Sequence, residues 1–107
     1  MHDSVGQFLV TLEQKRRSPL TLKAIRQDLT HFIAWWEAQR GRPFNPAFLL
    51  SRDILDWRAE RQAQDGAAPA TINRALASVR GYCAWATTTG LMADNVAADV
   101  ADVSTSP

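Results

Sequence analysis

The 107-residue sequence contains a single cysteine, Cys83. That excludes an internal disulfide framework and a zinc site built from several thiolates. Only two histidines are present, His2 and His31; neither has a carboxylate or thiol at ligand spacing, so no metal is expected. Long apolar runs are missing too. The least charged stretch, after Arg80, is broken by Gly81, Thr87, Thr88, Thr89 and Gly90, far too polar for the ~20-residue span of a membrane helix. No charged start followed by an apolar core and a small-residue cleavage site opens the chain, so no secretory signal is expected. There is no Gly-rich phosphate loop and no serine elbow, and no cofactor is expected. No segment sustains period-two alternation, and nothing repeats. These absences leave a soluble, cytoplasmic, all-α domain of ordinary size.

The residues present have a globular balance, 46% apolar and 21% charged. A net charge of +1 does not by itself announce a polyanionic partner, but the charges are segregated. Lys15, Arg16, Arg17, Lys23, Arg26, Arg40 and Arg42 face only Asp28 and Glu37 between positions 14 and 42. Between 67 and 92 stand Arg74 and Arg80 and no acid. The acids collect at Asp53, Asp56, Glu60 and Asp65, then at Asp94, Asp99 and Asp102. Such separation offers one anion-facing side, although surface charge also scatters unevenly by chance.

Apolar periodicity predicts four helices. Val5, Phe8, Leu9 and Leu12 make the first stripe, with His2 in a fraying terminus. Ser18 caps and Pro19 opens a long second helix with Leu22, Ile25, Leu29, Phe32, Ile33 and Trp36 inward; Gly41 and Pro43 stop it. An ordered loop, Arg42–Leu50, leads to a third helix capped by Ser51, with Asp53 in its first turn and Ile54 and Trp57 in the core. Pro69 opens a fourth, with Ile72, Leu76, Val79, Cys83 and Ala86 inward, Tyr82 beside them and Gly90 at its end. Asn95–Ala101 is expected to add a short fifth helix, and Ser104–Pro107 a tail or linker. The polar face of helix two carries Lys23, Arg26, Gln27 and Thr30; that of helix four carries Thr71, Asn73, Arg74, Ala77, Ser78, Arg80 and Gly81. The arginines suit phosphate oxygens or guanine edges. The small residues admit close approach of a bulky rod, or close packing of a neighbouring helix over Gly81. Cys83 and Tyr82 are expected in the core; Trp35 and Trp85 border their stripes and could cover a boundary with a partner domain. Lys15, Arg16 and Arg17 read either as a solvated helix end or as phosphate contacts.

The segment Ser18–Leu29 with Phe32 and Trp35, the segment Pro69–Ala86, and the closing Gly90–Asn95 resemble the N-terminal core-binding, SAM-like domain of the tyrosine recombinase and phage integrase family. Phe8–Leu12 fits as well, so the resemblance spans roughly residues 5 to 103. Ile25 departs from a usual tyrosine, Ala68 from a usual serine, and Val96 from a usual proline. The resemblance implies a four-helix, bundle-like fold with a short fifth helix over residues 1–103, and a linker at 104–107 towards a catalytic domain lying outside this chain. That domain would supply the tyrosine nucleophile, so this chain should not cut DNA itself. The implied partners are double-stranded DNA, the catalytic domain and other recombinase subunits, the isolated domain being a monomer. On this reading Lys23, Arg26, Arg74 and Arg80 hold phosphates, one arginine reading a base, with Gln27 on the same face. Thr21, Thr71, Asn73 and Ser78 add hydrogen bonds. The competing reading is a helical protein-interaction domain that does not bind DNA. A helix-turn-helix regulator is disfavoured, because Arg42–Leu50 is too long for its turn.

Overall fold

Proline and glycine punctuation sets most of the helix limits. In the computed structural model, which describes residues 2–104, α1 runs Asp3–Gln14, α2 Pro19–Arg40, α3 Ser51–Ala63 and α4 Pro69–Thr88. No strand occurs among the described residues. Ser18 accepts the Thr21 N–H at 3.1 Å and so satisfies one of the orphan donors at the start of α2. Gly41 ends α2 in the left-handed region, φ 65°. The loop after it holds a short 3-10 turn, Pro46–Phe48.

Helix α2 packs most extensively on α4, and α1 and α3 lean on both. Leu29, Phe32, Ile33 and Trp36 of α2 are buried, as are Ile72, Leu76, Val79, Cys83 and Ala86 of α4. Each valine, leucine, isoleucine or phenylalanine among them contributes about 1.5–3 kcal/mol of transfer free energy. Rings interlock across elements: Phe32 meets Trp57 edge-on with centroids 5.1 Å apart, and Trp36 meets Phe44 at 5.3 Å. Tyr82 is 1% exposed and shares a 2.7 Å hydrogen bond with the Ser4 hydroxyl. Burial pushes the Tyr82 phenol and the Cys83 thiol each up to about 12.

Three expectations are corrected. His2 does not fray: its Nδ1 accepts the Ser4 N–H at 3.1 Å and caps α1. Ser51 is the first helical residue rather than the cap. Its hydroxyl donates to the Val96 carbonyl at 2.6 Å, while Asp53 Oδ2 accepts the Leu50 N–H at 3.0 Å and closes that helix start from inside. Asn95–Ala101 forms turns, not a fifth helix.

The reason for the last difference is anchoring of the segment by side chains of α3 and α4. Residues 95–103 run back along α4 as a strap, with Ala97, Val100 and Val103 buried. Side chains from other elements anchor its backbone: the Ser51 hydroxyl takes the Val96 carbonyl, which a helix over 95–101 would pair internally, Arg58 takes that of Ala101, and Arg80 Nε and Nη2 take that of Val100 at 3.1 and 2.8 Å. Asn95 Oδ1 captures the Ala97 N–H at 3.0 Å. Residues 105–107, most of the expected tail, lie outside the described residues. Among the described residues no helix is long and apolar enough to cross a membrane, and no cluster of potential metal ligands occurs.

Candidate nucleic-acid interface

On α2, Lys23, Arg26 and Gln27 are exposed, and neither Lys23 nor Arg26 has an ion-pair or hydrogen-bond partner among the described residues. With Arg17 they line a groove of about 470 Å³ between α1 and α2, floored by Leu9, Val10 and Leu22, where Glu13 is the acid present. Thr21 is exposed too, but its hydroxyl is engaged at the helix cap, accepting from Ser18 at 2.8 Å.

The corner entering this groove is built from cations. Arg17 N–H reaches the Leu12 carbonyl at 3.2 Å and Arg16 N–H reaches Glu13 at 2.9 Å, the paired bonds of a Schellman turn. That turn needs a left-handed residue, and Arg16 supplies it at φ 62°. The turns after α2, α3 and α4 use Gly41, Gly66 and Gly90 for the same conformation. A side chain there costs roughly 1 kcal/mol relative to glycine. Lys15, Arg16 and Arg17 are all exposed and unpaired among the described residues.

Helix α4 differs. Ser78 is 7% exposed and donates to Asp28 Oδ2 at 2.7 Å; Arg74 Nη2 donates to Asp28 Oδ1, also at 2.7 Å. Arg74 nevertheless keeps 57% of its side chain in solvent, whereas Asp28 keeps 6%. Asn73 clamps the strap: its Nδ2 donates to the Val103 carbonyl at 3.0 Å and its Oδ1 accepts the Val103 N–H at 2.7 Å. Arg80, besides Val100, holds Asp102 at 2.6 Å. Thr71 is exposed in the first turn.

Helical geometry separates these groups. At 3.6 residues per turn, Lys23 and Arg26 project about 140–160° around α2 from Asp28, and Asn73 and Arg80 about 140–160° around α4 from Ser78. The nine residues singled out in the sequence therefore do not form one cluster. Lys23, Arg26 and Gln27 occupy the outer face of α2; Arg74 stands at the α2–α4 seam with Ser78 beneath it; Asn73 and Arg80 lie under the strap. Asp28 escapes a search for basic residues. Its signal is positional: three residues after Ile25 and four before Phe32, it is a carboxylate on the buried stripe. A Cβ added to Gly81 would meet Phe8 Cζ at 3.5 Å, an ordinary contact, so packing over Gly81 does not demand glycine.

The sequence profile of the family described as phage integrase, N-terminal SAM-like domain, matches residues 5–90. The tyrosine recombinase XerC of Rhodospirillum centenum is 38% identical over 84 residues, covering 76% of this chain and 25% of the relative. A tyrosine recombinase of Synechococcus elongatus is 37% identical over 79 residues, 67% of this chain and 24% of the relative. The chain thus spans about a quarter of the length of these curated relatives. No solved structure matches it with significance.

Proposed function

This chain belongs to the phage integrase N-terminal SAM-like domain family, and from that premise we propose that it is the duplex-gripping module of a tyrosine recombinase. The observation that carries the reading is the set of five exposed cations, Lys15, Arg16, Arg17, Lys23 and Arg26, without a partner among the described residues, on one corner and one helix face. Cations without internal partners give up no ion pair when they meet phosphate, so their charge is available for counterion release. Helix α2 lies against the DNA backbone through Lys23 and Arg26, with Gln27 beside them. Helix α4 approaches through Arg74 and Thr71, past the small, exposed Ala77 and Gly81.

Asn73, Ser78 and Arg80 act indirectly on this reading, Ser78 by holding Asp28 and the other two by holding the strap. Tyr82 is no nucleophile, being buried against Ser4 and protonated far above neutral pH. Strand cleavage belongs to a catalytic domain beyond this chain, and other subunits join on DNA during integration or site-specific recombination. The cytoplasm, where DNA is reached, is the proposed compartment.

The test is a titration of isotope-labelled protein with a generic ~20-base-pair duplex at several salt concentrations. Amide shifts at residues 15–30 and around Arg74, fading with salt, are expected. Contact of these five cations with about five phosphates gives a log–log slope near −4.5. Salt-insensitive binding to protein but not to duplex would assign the domain to protein docking instead.

A further inference from the structure

Arg74 differs from the free cations in having a buried carboxylate behind it. Asp28 Oδ1 takes one Nη2 hydrogen at 2.7 Å, and Asp28 is itself fixed by the Ser78 hydroxyl at 2.7 Å. More than half of the Arg74 side chain still faces solvent, so most of the five guanidinium donors remain free in a plane whose orientation Asp28 sets. Its surroundings on α4 are low: Ala77 stands three residues on and Gly81 seven, both exposed, and internal packing at Gly81 leaves room for a methyl group.

The pairing has two consequences for a duplex. A guanidinium already neutralised at hydrogen-bond distance has little charge left to displace counterions, so it adds little to the salt dependence of binding. A planar donor set held in a fixed direction, on a helix face that can come close, suits the acceptor pair of a base edge. We propose that Asp28 is a positioning residue that makes Arg74 an oriented reader of base edges rather than a neutraliser of phosphate. The proposal rests on the DNA-gripping function above and assigns a different role to one of its arginines.

The experiment compares the unaltered chain with Lys23→Ala, Arg74→Ala, Arg74→Lys, Ser78→Ala and Asp28→Asn. It records affinity against salt on a generic duplex, and the ratio of affinities between the tightest duplexes selected from a random pool and that generic one. Lys23→Ala should shorten the log–log slope by about 0.9 and leave the selectivity ratio alone. Arg74→Ala should change the slope by less than about half of that and reduce selectivity roughly 5- to 150-fold. Arg74→Lys, which keeps the charge but loses the planar fork, should behave like Arg74→Ala in selectivity. Asp28→Asn should steepen the slope as Arg74 is released to phosphate, and should cost no selectivity once Arg74 is already alanine. Ser78→Ala should move both quantities the same way by less, and it stands in should Asp28→Asn fail to fold. An Arg74→Ala slope change of a full 0.9, or an unchanged selectivity ratio, overturns the proposal while leaving DNA binding intact. Absence of any salt-dependent duplex binding by the unaltered chain removes the DNA-gripping function and this proposal together.

Discussion

The twelve basic residues divide at about residue 30. Before it, Lys15, Arg16, Arg17, Lys23 and Arg26 find no partner among the described residues. After it, every arginine is occupied: Arg40 with Asp53, Arg52 with Asp56, Arg61 with Asp65, Arg74 with Asp28 and Arg80 with Asp102. Arg58 takes the Ala101 carbonyl, and Arg42 lies over the Phe48 ring at 4.5 Å. The difference teaches that the position of the acids, more than the number of bases, decides what an arginine does. Bases beside buried or strap-borne acids tie elements together; bases left alone remain available to an external anion.

The largest test of this division is alkaline. Tyr82 and Cys83 ionise near 12 when folded and near 10 and 9 otherwise. The folded state therefore holds protons that the unfolded chain has released, and stability falls as pH rises from about 9 towards 12, by about 1 kcal/mol per pH unit for each group within its own window. Arginines stay charged throughout this range. Near-ultraviolet circular dichroism should accordingly be lost across that range by unfolding, at lower pH in Arg80→Ala but not in Arg26→Ala; equal shifts in the two variants would break the division. Next in size, Arg80→Ala should cost about 2 kcal/mol in urea unfolding, since it strips the Val100 carbonyl and Asp102 of their donor. Its salt slope should stay unaltered. A slope reduced by about 0.9 would move Arg80 into the free population.

Replacing Lys15 and Arg17 together by alanine should do the reverse. The slope should shorten by about 1.8 while the unfolding free energy from urea titration stays within about 0.5 kcal/mol of the original. The smallest and sharpest change is Arg16→Gly. Relief of the left-handed backbone should stabilise the chain by about 0.5–1 kcal/mol, yet the slope should lose about 0.9. Stabilisation without any loss of slope would leave Arg16 with no role at the corner.

How far the sequence foretells this depends on the range of the forces. The four helices were legible because their signals are local: the stripes, Ser18-Pro19, Gly41 and Pro69 act within a turn or two. The strap was not, because its apolar residues alone could equally mark a short helix. Its form is decided by Ser51, Arg58, Asn73 and Arg80, lying 20 to 45 residues away in sequence. Exposure of Lys23 and Arg26 follows from the polar side of an amphipathic helix. Nothing local distinguished them from Asn73 and Arg80, which share the same composition signal and serve the strap. Asp53 was read as a helix-dipole carboxylate for similar reasons. Only the tertiary arrangement brings to it the Trp36 indole, at 3.1 Å, and the Arg40 guanidinium.

The strap also decides how the domain bears a load. Val103 is clamped beside Asn73 at the start of α4, Val100 beside Arg80 halfway along it, and Val96 beside Ser51. Tension applied at Ser104 falls on the two Asn73 bonds first, then on those of Arg80 and Arg58, and last on Ser51. Bonds taken in succession yield by peeling, at far lower force than the same bonds sheared at once. A pull at the end of the strap therefore meets its attachments one at a time, and lifting Val103, Val100 and Ala97 uncovers the core in the same order.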